Sequence, residues 1–173
     1  MTTLKIATDL FSKPPKTSQD GQTVTDYRSI AMATTDLVTT QIIALGVLPA
    51  GHRAVGFALE CTDMDSSSGL TITVGILNAF YNGVQTDNGI VESATPYLMN
   101  DTVNYVPSLV SGMNFITAST IGASGGRAPS TLAFSHAIGV NDKYDRIIAV
   151  SIAAAPGGAV AGTLAILVSQ SGD

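Results

Sequence analysis

The sequence has no tryptophan, one cysteine and few charged side chains. Its lone cysteine, Cys61, cannot form an internal bridge, which argues against the disulfide frameworks of small secreted domains. Lys, Arg, Asp and Glu together make up only 12% of the residues, too few for long solvated helices. The net charge of -5 gives no basic footprint for a phosphate backbone, so nucleic acid is not an expected partner.

Membrane-spanning runs and metal-ligand clusters are also missing. An uncharged stretch over residues 149–168 is long enough to cross a bilayer, but Pro156-Gly157-Gly158 interrupts it and its β-branched residues recur with period two. It therefore predicts two strands and a turn, and no membrane partner is expected. His52 and His136 are the only histidines and lie in no cluster with metal-ligand spacing, so neither a metal nor another cofactor is expected.

The chain instead has a high apolar content, 45%, and 17 glycines. With so little charge, part of its outer surface is expected to be covered by copies of the chain or by a larger assembly. A chain of 173 residues fits one domain that buries roughly 70% of its unfolded surface. The first residues lack the apolar run of a signal peptide, so no export is expected.

Alternating patterns predict β-strands along most of the chain. Residues 54–61 alternate large apolar side chains with small or polar ones, as do residues 70–76, and the two runs predict a hairpin. Leu48-Pro49-Ala50-Gly51 predicts a chain reversal, since proline presets the second turn position and glycine suits the fourth. Strand-like runs on both sides of Pro156-Gly157-Gly158 predict a closing hairpin.

The predicted fold class is all-β: a single-domain antiparallel β-sandwich, of which the jelly roll is one form, with an extended N-terminal arm. The arm covers residues 1–23, where Lys, Pro and Gly interrupt regular pairing, and the sandwich domain covers residues 24–173. Such an arm is either a disordered terminus or a segment that orders on a neighbouring subunit. Patterning is weak between residues 78 and 135, where the candidates are a short helix near Pro96 and strands near Phe115 to Ala118 and at residues 131–135.

A glycine-rich loop raises the question of catalysis. Gly122-Ala123-Ser124-Gly125-Gly126 matches the string of a nucleophile elbow, but the required strand, turn and helix are not indicated and no acid lies between Ser124 and His136. The loop also has Arg127 in place of the lysine of a phosphate-binding loop. A flexible glycine loop is favoured, a hydrolase built on Ser124 and His136 is the weakest hypothesis, and no enzyme is expected.

An acidic break between two strands resembles the start of a calcium loop. Asp63, Asp65 and Ser67 have the right spacing, but Gly69 comes one position late and Val74 stands where the bidentate glutamate belongs. A turn with surface carboxylates is therefore favoured. We expect Cys61, which alternates with core residues, to be a small buried hydrophobe.

The order of these segments resembles that of a group of viral proteins. Leu48-Pro49-Ala50-Gly51, an alternating strand, an Asp-rich break and Leu70-Thr71-Ile72-Thr73-Val74-Gly75 resemble a pattern of small virion proteins of tailed bacteriophages. Asp145-Arg146-Ile147-Ile148-Ala149-Val150, the proline turn and Gly162-Thr163-Leu164 resemble the same group. The resemblance covers residues 24–78 and 144–170 and carries no catalytic motif. It implies a capsid decoration, or cement, protein: a β-sandwich homotrimer on the outer capsid surface that ties major capsid subunits together.

For that role, the expected partner-binding residues are Lys13, Pro14, Pro15 and Lys16 in the arm and Arg127 after the glycine loop, chosen for expected exposure. The expected partners are other copies of the chain and the phage major capsid protein. The protein would be made in the host cytoplasm and reside in the virion. The alternatives are a receptor- or carbohydrate-binding module of a tail or fibre, which the lack of tryptophan disfavours, and another component of the head-tail region.

Overall fold

Two stacked β-sheets form most of the computed structural model, which describes residues 3–7, 23–81, 84–86, 90–91, 107–130 and 145–172. The strands in chain order are β1 (Thr3–Ile6), β2 (Thr23–Met32), β3 (Gln41–Leu48), β4 (His52–Cys61), β5 (Thr71–Leu77), β6 (Ala79–Tyr81), β7 (Val84–Thr86), β8 (Ile90–Val91), β9 (Leu109–Ser119), β10 (Gly126–Pro129), β11 (Asp145–Ala154) and β12 (Gly162–Gly172). Sheet A has the order β1-β3-β11-β5-β9, with β8 also paired to β11. Sheet B has the order β10-β4-β12-β2, and β6 and β7 form a separate pair.

The main core lies between the two sheets. Strand β5 contributes Ile72, Val74 and Ile76, all with no exposed surface, and β12 contributes Leu164 and Ile166 from the opposite sheet. Period-two alternation in both strands places these side chains on the inner faces. The all-β single-domain prediction is confirmed, whereas its jelly-roll form stays a prediction.

Aromatic stacking adds a direct contact between the sheets. Phe57 of β4 and Phe115 of β9 have ring centroids 4.5 Å apart and planes inclined by 13°. Both rings are buried in the main core, so this pair joins sheet B directly to sheet A. Strand β9 contains the strand that the sequence predicts near Phe115, while the predicted helix near Pro96 and strand at residues 131–135 lie outside the described residues.

The turns between consecutive long strands cross from one sheet to the other. Strand β4 pairs with β12 and β10 in sheet B, while β5 pairs with β11 and β9 in sheet A. The predicted hairpin of residues 54–61 and 70–76 is therefore wrong, and so is the closing hairpin, since β11 and β12 also lie in different sheets. Each of these strands turns an apolar face to the core, where the apolar faces of consecutive strands meet.

Part of sheet A is buried on both faces. Every residue of β3 is buried, and a second apolar cluster covers the face turned away from sheet B, formed by Ile42, Ala44, Val47, Leu77, Ile147 and Ala149. Strands buried on two sides read as continuous apolar runs, as Ile42 to Leu48 do. Sheet B has no such second cluster among the described residues, so its outer face is the open one.

Part of the predicted N-terminal arm belongs to sheet A. Thr3–Ile6 form β1, which pairs in parallel with β3, and Leu4 packs against the second apolar cluster. Lys5 forms an ion pair with Asp36 and its Nζ donates a hydrogen bond to the Ala31 carbonyl at 3.1 Å. Leu4 faces the second apolar cluster and Lys5 faces the carboxylate of Asp36. This alternation of neighbouring residues between two sides explains why the segment is a strand. Residues 8–22 of the predicted arm lie outside the described residues.

Candidate partner-binding surface

The outer face of sheet B is rich in small hydroxyl side chains and carries an exposed tyrosine. Strand β2 exposes alternate residues of its sequence, because its other residues point into the sandwich. The exposed members of this face are Thr25, Tyr27, Ser29, Ala31, Arg53, Val55, Arg127 and Thr163. Thr25 Oγ1 and Ser169 Oγ lie 3.0 Å apart across β2 and β12, which fixes part of this polar surface.

A shallow depression crosses this face, and we call it the trough. Its lining residues are Tyr27, Glu60, Cys61, Thr62, Gly126, Arg127, Thr163 and Ala165, and its volume is about 390 Å³. Ala165 is opposite Glu60 on one side and Ser29 on the other, and Arg127 is opposite Glu60. Small residues of β12 thus form the floor, with Tyr27 on one wall and the Arg127 and Glu60 pair on the other.

Arg127 is the one predicted partner-binding residue in the described part of the chain. It extends from β10 with 60% of its side chain exposed, and its Nε lies 3.7 Å from Glu60 Oε1. That distance is an ion pair without a hydrogen bond, and exposed pairs of this kind stabilise a fold by about 0–1 kcal/mol. The guanidinium is therefore available for a stronger contact with a partner. Lys13, Pro14, Pro15 and Lys16 lie outside the described residues.

Tyr27 and Glu60 complete the trough but were not among the predicted site residues. The signal for Tyr27 is present in the sequence, since it is out of phase with Ile30 and Met32 and must face away from the core. Its exposed fraction is 54%, and it lies on β2, the edge strand of sheet B. Glu60 could be assigned to the face but not to Arg127, because the β10–β4 pairing joins residues distant in sequence.

In the acidic loop between β4 and β5, the carboxylate of Asp65 binds groups of the protein itself and has a structural role. Asp65 is buried, and its carboxylate accepts hydrogen bonds from Ser67 N at 3.0 Å, Ser67 Oγ at 2.9 Å, Gly69 N at 2.6 Å, Leu70 N at 2.7 Å and Gly158 N at 3.0 Å. Desolvation raises the pKa of Asp65, but the hydrogen bonds outweigh it and hold the pKa well below its usual value. Asp63 is exposed as predicted, whereas the prediction of a surface carboxylate at Asp65 is wrong.

The glycine loop does not have the geometry of a nucleophile elbow. Ser124 follows a short 3-10 helix over Thr120–Ala123, and strand β10 begins two residues later, where a hydrolase would need a helix. The hydroxyl of Ser124 lies 3.5 Å from the Gly125 carbonyl. His136, its proposed partner, lies outside the described residues.

Two buried arginines belong to the scaffold. Arg28 of β2 donates from Nε to Asp26 Oδ2 at 2.7 Å, with both side chains on the inner side of the strand. Arg146 of β11 donates from Nη2 to the His52 carbonyl at 3.2 Å, and desolvation lowers its pKa. Both side chains are buried, so neither arginine is open to a partner.

Within the described ranges, no three His, Cys, Asp or Glu residues come together in a way that could hold a metal ion. The same ranges contain no helix with the length and apolar character needed to cross a bilayer.

Solved structures with a similar fold include chains of two phage capsids. A chain in the capsid of Ralstonia phage GP4 matches 99% of this chain and 99% of its own length, with a TM-score of 0.73 and 22% identity. The chain has the fold of chains found in phage capsids. A chain of the cyanophage Pam1 capsid asymmetric unit matches 93% of this chain and 92% of its own, with a TM-score of 0.58 and 18% identity. No protein-family model and no curated protein matches the sequence.

Proposed function

We propose that this chain is a non-enzymatic structural protein of a phage virion, which binds the outside of the head as a decoration protein and stabilises contacts between major capsid subunits. The observation that carries the proposal is the likeness to a chain of the GP4 capsid over 99% of both chains, with a TM-score of 0.73.

The distribution of exposed surface supports a binding role. Strand β3 of sheet A is buried on both faces, whereas the outer face of sheet B exposes Tyr27 and Val55 and carries few charges. A specific interface needs roughly 800 Å² from each partner, and the exposed residues of the outer face of sheet B would form part of such a surface. A protein that binds only assembled shells stabilises them by mass action.

The proposed assembly unit is a homotrimer, and the proposed partner-binding residues in addition to Arg127 are Lys13, Pro14, Pro15 and Lys16. A trimer uses two different patches of each copy in a closed ring. Light scattering coupled to size exclusion measures the solution mass directly. The expected mass is that of three chains of 17.7 kDa each, and a monomer at all concentrations would contradict the trimer.

The test of the decoration role is the heat stability of shells. Heads assembled without this chain are mixed with purified protein and heated, and DNA release or light scattering follows their disruption. Added protein is expected to raise the disruption temperature in a saturable manner. Heads that gain nothing would contradict the proposal and favour a tail, fibre or head-tail role, although Tyr27 is the single aromatic among the exposed large hydrophobic residues described.

A further inference from the structure

We propose that the trough binds an extended acidic segment of the shell protein, with a carboxylate on Arg127 and a neighbouring apolar side chain against the ring of Tyr27. The inference rests on the proposed function, because the shell protein is the partner which that function names. It specifies the chemistry of the contact and the part of this chain that makes it.

The charged residues around the trough favour an acidic segment as its ligand. Among the described residues, the outer face of sheet B carries the exposed Arg53 and Arg127 and the half-buried Glu60, so positive charges outnumber negative ones in a chain whose net charge is -5. Glu60 is the one carboxylate within 4 Å of Arg127 in the described part of the chain, and its distance is too long for a hydrogen bond. The planar guanidinium can therefore present two parallel N–H groups to an incoming carboxylate.

The shape of the trough argues for an extended segment. Strand β12 forms the floor, and the strands with Tyr27 and Glu60 lie on its two sides. Neighbouring strands are about 4.8 Å apart, so the walls are roughly 10 Å apart, the width that one extended chain fills. Small floor residues such as Ala165 and Thr163 leave room for side chains to reach both walls.

The sheet edges argue against addition of a partner strand. Strand β10 is four residues long and ends at Pro129, which has no N–H to donate. Strand β2 points Asp26 and Arg28 inward, and β9 has shifted registers with positive φ at Gly112 and Ala118. Inward charges, bulges, proline and short strands are the features that block edge pairing. A partner segment is thus directed to the face.

Binding to shells tests the role of Arg127. Heads assembled without this chain are sedimented with wild-type protein, with Arg127→Glu and with the control Arg53→Glu, which changes an exposed arginine on the same face outside the trough. Arg127→Glu is expected to weaken binding by roughly tenfold or more, and Arg53→Glu by less than about threefold. Wild-type binding should also weaken with salt more steeply than binding of Arg127→Ala.

The outcomes separate the two proposals. If wild-type protein does not bind heads, the proposed function fails. If wild-type protein binds and Arg127→Glu binds equally well with an unchanged melting temperature, the function stands and the trough proposal is overturned.

Cross-linking identifies the occupant independently of affinity. A photoreactive benzoylphenylalanine replaces Tyr27, the protein is bound to heads and irradiated, and mass spectrometry identifies the linked peptide. A shell-protein peptide with Asp or Glu within a few residues of the linked site is expected. A link to another copy of this chain, or to a segment without acidic residues, would overturn the proposal.

Discussion

Asp65 and Gly158 are 93 residues apart in sequence, yet the carboxylate of Asp65 accepts a hydrogen bond from the Gly158 backbone at 3.0 Å. The contact joins the loop after β4 to the turn before β12. Ser66 N and Val160 N donate to the Gly158 and Met64 carbonyls in the same region, both at 3.0 Å. One buried carboxylate thus holds together two crossings between the sheets.

Replacing Asp65 with Asn is expected to lower the melting temperature by several degrees. The amide keeps one acceptor oxygen and turns an NH₂ group towards backbone N–H donors, so several of them lose their partner. Circular dichroism during heating measures the change. Asp63→Asn is the matched control, since Asp63 is exposed and accepts one bond from the Asp65 N–H. Equal melting temperatures for the two variants would contradict the stabilising role of Asp65.

Acid should destabilise the wild-type protein partly through this group. The pKa of Asp65 is lowered in the folded state, so its contribution to stability is complete above the unfolded-state pKa, about 3.9, and is lost as pH falls through the lower folded value. Denaturant unfolding between about pH 5 and pH 2 should show a steeper loss for wild type than for Asp65→Asn. Parallel curves would show that other carboxylates dominate.

The stacked pair between the sheets predicts a large core effect. Phe115→Ala should lower the free energy of unfolding by about 3–5 kcal/mol, because Phe115 is fully buried against Phe57. Tyr27→Ala, on the open face of sheet B, should change it by no more than about 0.5 kcal/mol in the isolated chain. Urea titration measures both variants. A small effect at Phe115 would mean that the sheets are not held by this contact.

Gly75 in sheet A lies so close to its neighbours that a side chain there should destabilise the protein. A Cβ at Gly75 would lie 2.9 Å from the backbone carbonyl oxygen of Met113 and would also clash with Asn114. Gly75→Ala should therefore cost roughly 1–3 kcal/mol by shifting β9 away from β5. Gly46→Ala is the comparison, because the one close contact of its Cβ would be with the flexible end of Ile166 at 2.9 Å. An equal or larger loss at Gly46 would contradict this reading of the packing.

The single thiol should be inert in the folded protein. Cys61 has 8% of its surface exposed, and desolvation raises its pKa to about 12, so almost no reactive thiolate exists at pH 8. A thiol reagent such as dithionitrobenzoate should react slowly with native protein and at once after denaturation. Rapid labelling of native protein at the rate of a free cysteine would contradict the burial of β4.

The sequence predicts which side of a strand faces the core, but not which strand lies beside it. Alternation at Leu70, Ile72 and Val74 correctly identifies inward residues. The same pattern is compatible with a hairpin or with a crossing between sheets, because both place the apolar side inward. Pairings such as β10 with β4 join segments distant in sequence, so the contact of Arg127 with Glu60 could not be predicted.

The position of the protein in the virus tests the central claim most directly. Electron cryo-microscopy of heads assembled with and without this chain gives a difference map of the shell. We expect additional density on the outer surface of the shell, repeated with the lattice. The two-sheet sandwich should fit this density with the outer face of sheet B against the shell. Identical maps, or density confined to the tail or its junction with the head, would contradict it.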